Sequence, residues 1–449
     1  MLPPPWRKEM KRVISIIAVC LILLCVAACQ PTPEESTVVQ KDGSLEKAIG
    51  EAPLLAYSFD HPDFIEESIQ LSDKTKLTFE TNVTLEDVSL FPVYRIQYSP
   101  FSSSEINLLL PSLFGSARIL QKPQGRTKGV IEQEIRYWVE LKDKTSSGEQ
   151  DGDLKTYESM INQLYKEWND APEDANYQAY DGEWNEQSLT LVSENSDKTL
   201  EIWNNETLHS SRLYYANGEE YYSTGAVFEQ AKDTSLTPTE AMNIAEQWIQ
   251  QIDPLKNCRA RFSKKGRRYQ DEREDGYVIV FERTYDGLSK TYLSNYENIG
   301  GEGSSSINDI PDFSQIYYGE IIQVSVNKDG ITSLLWENPM KTSILNANVM
   351  LLSFDQVLNR LKASIKSKYA WVDQGNAERK VDSINIYVDE IRLCLVTIPE
   401  RSHMDSYLLV PSWICFGGEE YRYGNEIEKV LYKDRCIVAI NAIDGTIIC

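Results

Sequence analysis

Two segments of this 449-residue chain, about 115 residues apart, carry the same signals in the same order. Such a duplication confines the C-terminal half to two copies of one small unit. Thr237-Pro238-Thr239-Glu240 opens a helix in which Ala241, Ile244, Ala245, Trp248 and Ile249 share one face. Thr237 is an N-cap residue, Pro238 suits the first helical position and Glu240 completes a capping box. Ser353-Phe354-Asp355-Gln356 repeats the pattern 116 residues later, with Phe354, Val357, Leu358, Leu361 and Ile365 as its apolar face. Strand-like runs follow each helix, at Gly276–Phe281 and Ile391–Ile398. Each unit closes on an apolar strand, an Asp-Gly pair and a second apolar strand, at Asp329-Gly330 and Asp444-Gly445. Glycine supplies the positive φ that a tight hairpin needs. The apolar phase before the turn is slipped by one residue between the two copies.

A capped helix leading into antiparallel strands that end in such a hairpin resembles the PepSY-like module, over residues 236 to 449. The resemblance implies a helix packed on an antiparallel sheet, and roles in inhibition or sensing rather than chemistry. The first module is placed at 233–345 and the second at 346–449. Residues 51–232 read as a separate N-terminal α+β domain. Strands are expected at Leu77–Leu85, from Phe91, at Ser188–Val192, Thr199–Trp203 and through Leu213–Val227, and helices at Ser104–Phe114, 127–142 and 154–168. The expected class is therefore α+β throughout.

The start of the chain sets where it works. Arg7, Lys8, Lys11 and Arg12 precede an uncharged run from Val13 to Ala28, the order of a signal peptide. That run spans roughly 24 Å as a helix, short of a ~30 Å hydrocarbon core. Val26-Ala27-Ala28-Cys29 resembles a bacterial lipobox, which implies removal of residues 1–28 and lipid attachment at Cys29. Two acyl chains give durable anchoring where one does not. Residues 29–50 then form a polar tether opening Gln30-Pro31-Thr32-Pro33. Leader and tether resemble those of uncharacterised Gram-positive, Clostridia-type lipoproteins, implying a position on the extracytoplasmic face of the cell membrane.

Composition excludes some partners. Residues 1–28 hold four basic side chains and one acid, which leaves 41 Lys+Arg against 67 Asp+Glu, a net charge of −26. Such a surface repels nucleic acid and anionic headgroups. Beyond the leader and Cys29, five cysteines remain: Cys258, Cys394, Cys415, Cys436 and Cys449. An odd set in so long a chain is no disulfide framework; one or two bridges and buried thiols are both open.

No catalytic constellation stands out. His61, His209 and His403 lack a second ligand at metal spacing, and Ser44-Leu45-Glu46-Lys47 matches Ser-x-x-Lys only by chance near the tether. No metal or cofactor is expected. Arg259, Arg261, Lys264, Lys265, Arg267 and Arg268 form a basic cluster in an acidic chain. It reads either as an anion-binding patch or as a loop neutralised by Asp271, Glu272, Glu274 and Asp275. The tyrosine pairs Tyr214-Tyr215, Tyr221-Tyr222 and Tyr317-Tyr318 have a sugar-stacking reading, but strand alternation puts only one ring of each pair on a given face. The leading expectation is a non-catalytic, lipid-anchored binding or regulatory protein engaging a protein partner at the cell envelope. A sheet edge or the loop from Asp286 to Pro311 is the expected contact surface. A solute-binding lipoprotein of a transporter and an envelope hydrolase are the alternatives.

Overall fold

Cap chemistry starts both repeated helices where the sequence places them. In the computed structural model the Thr237 and Ser353 hydroxyls accept from the N–H groups of Glu240 and Gln356, whose side chains accept in return from the cap N–H groups. The helices run Pro238–Ile249 and Phe354–Lys368. Ala241, Ala245 and Ile249 are buried in the first, and Phe354, Val357, Leu361 and Ile365 in the second. The structure describes residues 44–122, 126–147, 153–173, 177–184, 187–291, 319–374, 381–400, 406–430 and 435–448. Cys29, His403, Cys449, Tyr317-Tyr318 and most of the Asp286–Pro311 loop lie outside these residues.

Nineteen strands are described. In chain order they begin with β1 (Phe64–Gln70), β2 (Thr75–Thr84) and β3 (Val93–Tyr98). After the helix Ser103–Phe114 comes β4 (Ile119–Gln121), then a helical hairpin of Lys128–Ser146 and Leu154–Asp170. Five strands follow, β5 (Gln178–Ala179), β6 (Ser188–Ser193), β7 (Lys198–Asn205), β8 (Ser210–Asn217) and β9 (Tyr221–Thr224), of which β6, β7 and β8 form a meander. The first repeat holds β10 (Cys258–Arg268), β11 (Gly276–Tyr285), β12 (Leu288–Ser289), β13 (Ile321–Asn327) and β14 (Gly330–Glu337). Then come β15 (Met340–Asn346) and, in the second repeat, β16 (Ser383–Pro399), β17 (Tyr407–Tyr423), β18 (Glu426–Val430) and β19 (Cys436–Asn441). Helices hold 25% and strands 42% of the chain, and the named strands pair antiparallel except β2 with β16, so the class is α+β.

Both repeats build the same sheet. In the first, strand order is β10-β11-β13-β14. In the second it is β16-β17-β19, with Ile447 bridging to Ile440 as the start of a fourth strand. The slipped register has a plain cause in the final turns. Asn327 pairs with Gly330 across a two-residue loop, whereas Asn441 pairs with Thr446 across four residues. Each Asn accepts, through its side chain, the N–H two residues on, and each turn ends at a glycine of positive φ.

The N-terminal segment is not the separate domain that the sequence suggested for 51–232. Its strands are divided between two sheets. β1, β2 and β3 join the second repeat in an eight-stranded sheet, and β4 to β9 join the first in an eleven-stranded one. The cause is the length of β16 and β17. β17 pairs with β16 along one flank, leaving an opposite flank that β3, β19 and β18 occupy in succession. Side chains of Asn346 and Asn348 also accept or donate to the chain at 48–55 and 91, tying the N-terminal stretch to the second repeat.

One apolar core lies under the Phe354–Lys368 helix around Trp413, and another under the helices Ser103–Phe114 and Pro238–Ile249. Between the sheets, Arg392 makes a two-pronged contact with Glu282, at 2.9 and 2.8 Å, and donates to the Thr291 hydroxyl. Arg261 joins Glu390, and the guanidinium groups of Arg261 and Arg392 both lie over the Phe416 ring.

The long β16–β17 pairing depends on Gly417, where a Cβ would come within 1.9 Å of the Tyr387 carbonyl oxygen beside a bulge. Gly417→Ala is expected to lower unfolding stability by about 1–3 kcal/mol in urea titrations. Gly50→Ala, with nothing within 4 Å, is expected to stay within about 0.5 kcal/mol of the parent.

Candidate functional site

The basic cluster lies in strand β10, not in a loop, and its charges are already engaged. Arg268 joins Asp275 and Glu219; Arg267 meets Glu274 at 2.7 Å; Lys265 meets Glu229 at 3.0 Å and Glu274 at 3.5 Å. Arg261 is held by Glu390, Arg259 approaches Glu86 at 3.9 Å, and Lys264 sits over the Phe262 ring at 5.5 Å. The acids at 274 and 275 reach the basic residues because β11 returns antiparallel beside β10, pairing Gly266 with Gly276. An anion approaching this strand meets charge that is paired, in part by Glu274 and Asp275, the acids of the neutralised reading, so these pairs act as staples.

Those staples support the Tyr221 ring. A Cβ at Gly276 would come within 2.8 Å of the Val326 carbonyl oxygen and 2.9 Å of that ring; one at Gly266 would come within 3.1 Å of it. Two facing glycines therefore form the bed on which Tyr221 lies. Its hydroxyl donates to Asp275 and receives the Asn327 side-chain N–H, and the Arg268 guanidinium lies over the ring. Burial first, then the Asp275 interaction, raises the Tyr221 pKa to about 12.

This arrangement rolls the eleven-stranded sheet. From β8 to β9 the sheet path is β8-β14-β13-β11-β10-β9, five steps or about 24 Å if flat. The chain itself goes from Asn217 to Tyr221 in four residues, at most about 14 Å. The sheet must curl for the link to close. The face away from the helices then forms a cleft of about 780 Å³.

Alternation decides what lines it. Leu200, Ile202, Leu213, Tyr215, Leu334, Trp336, Ile322 and Val324 face the core. Their neighbours Glu201, Trp203, Arg212, Tyr214, Ser333, Leu335, Gln323 and Ser325 therefore face the cleft, with Glu220, Tyr222 and Tyr269 on the far wall. The Arg212 guanidinium sits 5.6 Å from the Tyr214 ring centre, and the Tyr222 and Tyr269 rings are 4.9 Å apart. Trp203 is 45% exposed and Tyr269 64%. Burial is the main cause holding the Tyr214 hydroxyl protonated well above the usual tyrosine range, with Glu220 adding to it. Of the tyrosine pairs flagged in the sequence, Tyr214-Tyr215 splits as alternation requires, with Tyr215 in the core and Tyr214 on the cleft, whereas Tyr221 and Tyr222 both line the cleft, Tyr221 as a buried ring. Trp203 and Tyr269 were not singled out. The signal for Trp203 was an aromatic on the polar side of a strand whose other side is Leu200 and Ile202.

The remaining sequence candidates stay apart from the cleft. His61 neighbours Trp413, His209 packs on Tyr98, and Ser44 and Lys47 lie in the short Ser44–Gly50 helix. Among the described residues no group of three or more His, Cys, Asp or Glu is placed to hold a metal. Cys258, Cys394, Cys415 and Cys436 are thiols, and burial raises the Cys258 pKa to about 12 and that of Cys394 to about 11. Two deeply buried carboxylates are saturated: Glu320 by Arg283 and the Trp336 indole, Glu419 by Tyr369, Tyr421 and Arg435.

The staples carry a pH dependence. Arg267, then Lys265 and Lys232, hold the Glu274 carboxyl below its ordinary 4.5 against the opposing effect of burial. A lowered folded-state pKa gives stability that is complete above that ordinary value and is lost as pH falls through the lowered one. Melting temperature is expected to fall as pH drops below about 4.5. Glu274→Gln should lower it at pH 7 and flatten part of that acid slope.

No family model matches the chain and no curated protein matches it. Among solved structures, an uncharacterised protein from Eubacterium rectale aligns over 91% of this chain and 99% of its own at 10% identity, with a TM-score of 0.47. The C-terminal domain of Bacillus megaterium YpeB aligns over 59% of this chain and 87% of its own at 9% identity, with a TM-score of 0.22. The fold described above stands on its own strand order and register.

Proposed function

We propose that this chain is a non-catalytic binding module, tethered through lipid at Cys29 on the extracytoplasmic face of the membrane, and that the cleft of the eleven-stranded sheet is its recognition element for an envelope partner. One observation carries the reading. Trp203, Tyr214, Tyr222 and Tyr269 are gathered in one concavity on the face of the sheet away from its core. Exposed aromatic surface in a cleft does nothing for folding and is the ordinary material of a recognition site. The rolled sheet holds Trp203, Tyr214 and Tyr222 on strands and Tyr269 in the turn that directly follows β10, packed on Tyr222, so little ordering is needed on binding.

A second reading has one observation in its favour. Glu201 and Glu220 line the same cleft from different walls, and a pair of carboxylates across a cleft is the equipment of hydrolytic acid–base chemistry. The transporter alternative has no comparable support, because the strands form meanders rather than two βαβ lobes.

Two measurements test the proposal. Fractionation should find the parent chain with membranes and Cys29→Ala in the soluble fraction; a variant that stays with membranes overturns the lipid tether. Purified full chain, mixed with isolated envelope fragments and sedimented, should be retained about tenfold less as Trp203→Ala or Tyr269→Ala. Equal retention of parent and variants overturns the cleft as the recognition element.

A further inference from the structure

We propose that the occupant of the cleft is an uncharged, β-linked pyranose chain. This rests on the binding reading above and names its ligand class. A pyranose with equatorial hydroxyls has two apolar C–H faces and a polar rim, so its site needs flat aromatic surface beside planar and hydroxyl hydrogen-bonding groups. The cleft supplies both. Trp203 and Tyr214 stand on adjacent strands one diagonal step apart, because Trp203 is opposite Arg212 in the β7–β8 register. Tyr222 and Tyr269 form the other aromatic wall. The floor between them carries Gln323, Ser325 and Ser333, with Glu201 and Arg212 at the Trp203 side. Carboxylate, amide and guanidinium groups each engage a pair of vicinal hydroxyls, and the serines serve single ones.

Other occupants fit less well. Single-stranded nucleic acid also stacks on aromatic rings, but this chain carries a net charge of −23 and Glu201 and Glu220 line the cleft, so phosphates are repelled. A peptide added as a strand needs an open edge. The cleft floor is instead the face of β8, β14, β13 and β11, each of which is paired on both sides. An amphipathic helix needs a continuous row of aliphatic pockets, whereas this floor interrupts Leu335 and Val278 with Gln323, Ser325 and Ser333. The same carboxylates disfavour acidic glycans, which leaves neutral ones.

The test is calorimetric titration of the full chain in detergent with chitohexaose and cellohexaose, both β-1,4-linked, and with maltohexaose, whose α-linkages curl the chain and tilt its sugar faces. Saturable binding of a β-linked hexamer is expected, at least tenfold tighter than maltohexaose. Trp203→Ala and Tyr269→Ala should weaken it by about ten- to a hundredfold, in line with aromatic stacking. Tyr165→Ala, an exposed tyrosine on the distant helical hairpin, should bind as the parent does. Neither cleft side chain belongs to the core, and unchanged circular dichroism confirms that the variants fold. Three results overturn the glycan assignment: neither β-linked hexamer binds, maltohexaose binds equally well, or the cleft variants bind like the parent. If the hexamers fail while envelope retention still depends on Trp203 and Tyr269, the binding module stands and its ligand is of another class. Mass spectrometry of the recovered hexamer separates the other case. An intact sugar agrees with both readings, whereas shortened products keep the glycan and overturn the non-catalytic assignment.

Discussion

The four-residue passage from Asn217 to Tyr221 is the constraint on which the recognition surface depends. A sheet of this width, left flat, would present Trp203 and Tyr269 on a broad plane with no enclosed volume between them. The link is too short for that, so the sheet curls until β9 reaches β10. Curling needs one strand boundary that tolerates close approach, and the facing pair Gly266 and Gly276 provides it. Tyr221 fills the space the missing side chains leave, and its hydroxyl finds Asp275 and Asn327. Strain, packing and polar satisfaction converge at that ring, and the cleft follows from them.

Charge is used the same way at several places. The chain is strongly acidic, yet its basic residues are spent internally: Arg268 and Lys265 on the β10–β11 hairpin, Arg283 on Glu320, Arg392 on Glu282 between the sheets. Buried pairs of this kind contribute little net stability over apolar replacements, but losing one partner leaves a costly uncompensated charge. They act here as registration devices. Arg392 and Glu282 join β16 of one repeat to β11 of the other, so the two sheets hold one relative placement. The chain as a whole keeps a net charge of −23, which narrows the ligands an exposed cleft can accept.

Local signals were legible where chemistry is local. The Thr237 and Ser353 caps, the alternation that buries Tyr215 and exposes Tyr214, and the Asp-Gly turns at 330 and 445 all stood in the sequence. The one-residue slip between the repeats was visible too, and its cause, a four-residue turn in place of a two-residue one, needed the hydrogen bonds of Asn441. Partnership was not legible. Nothing in the run Leu77 to Leu85 announces that it pairs parallel with a strand 300 residues away, so residues 51–232 read as a domain of their own. For the basic cluster, neutralisation by Glu274 and Asp275 was legible because they stand a few residues on, but the partners Glu219, Glu229 and Glu390 were not. Counting charges along a strand does not reveal which carboxylates its neighbours bring.

The candidate site shows where the division falls. By itself the sequence determined the class of fold, the two helix-and-hairpin repeats and the inward or outward sense of most strand residues, because caps, turns and alternation act over a few residues. It also carries the basic and apolar run up to Cys29, on which the expectation of a membrane tether rests. Only the tertiary structure decided that strands from the N-terminal half complete both sheets, and that Trp203, Tyr214, Tyr222 and Tyr269 meet in one cleft. Those outcomes depend on the length of β17, the reach of a four-residue link and the absence of side chains at two facing glycines. Each is a property of distances in space, which no window along the chain contains.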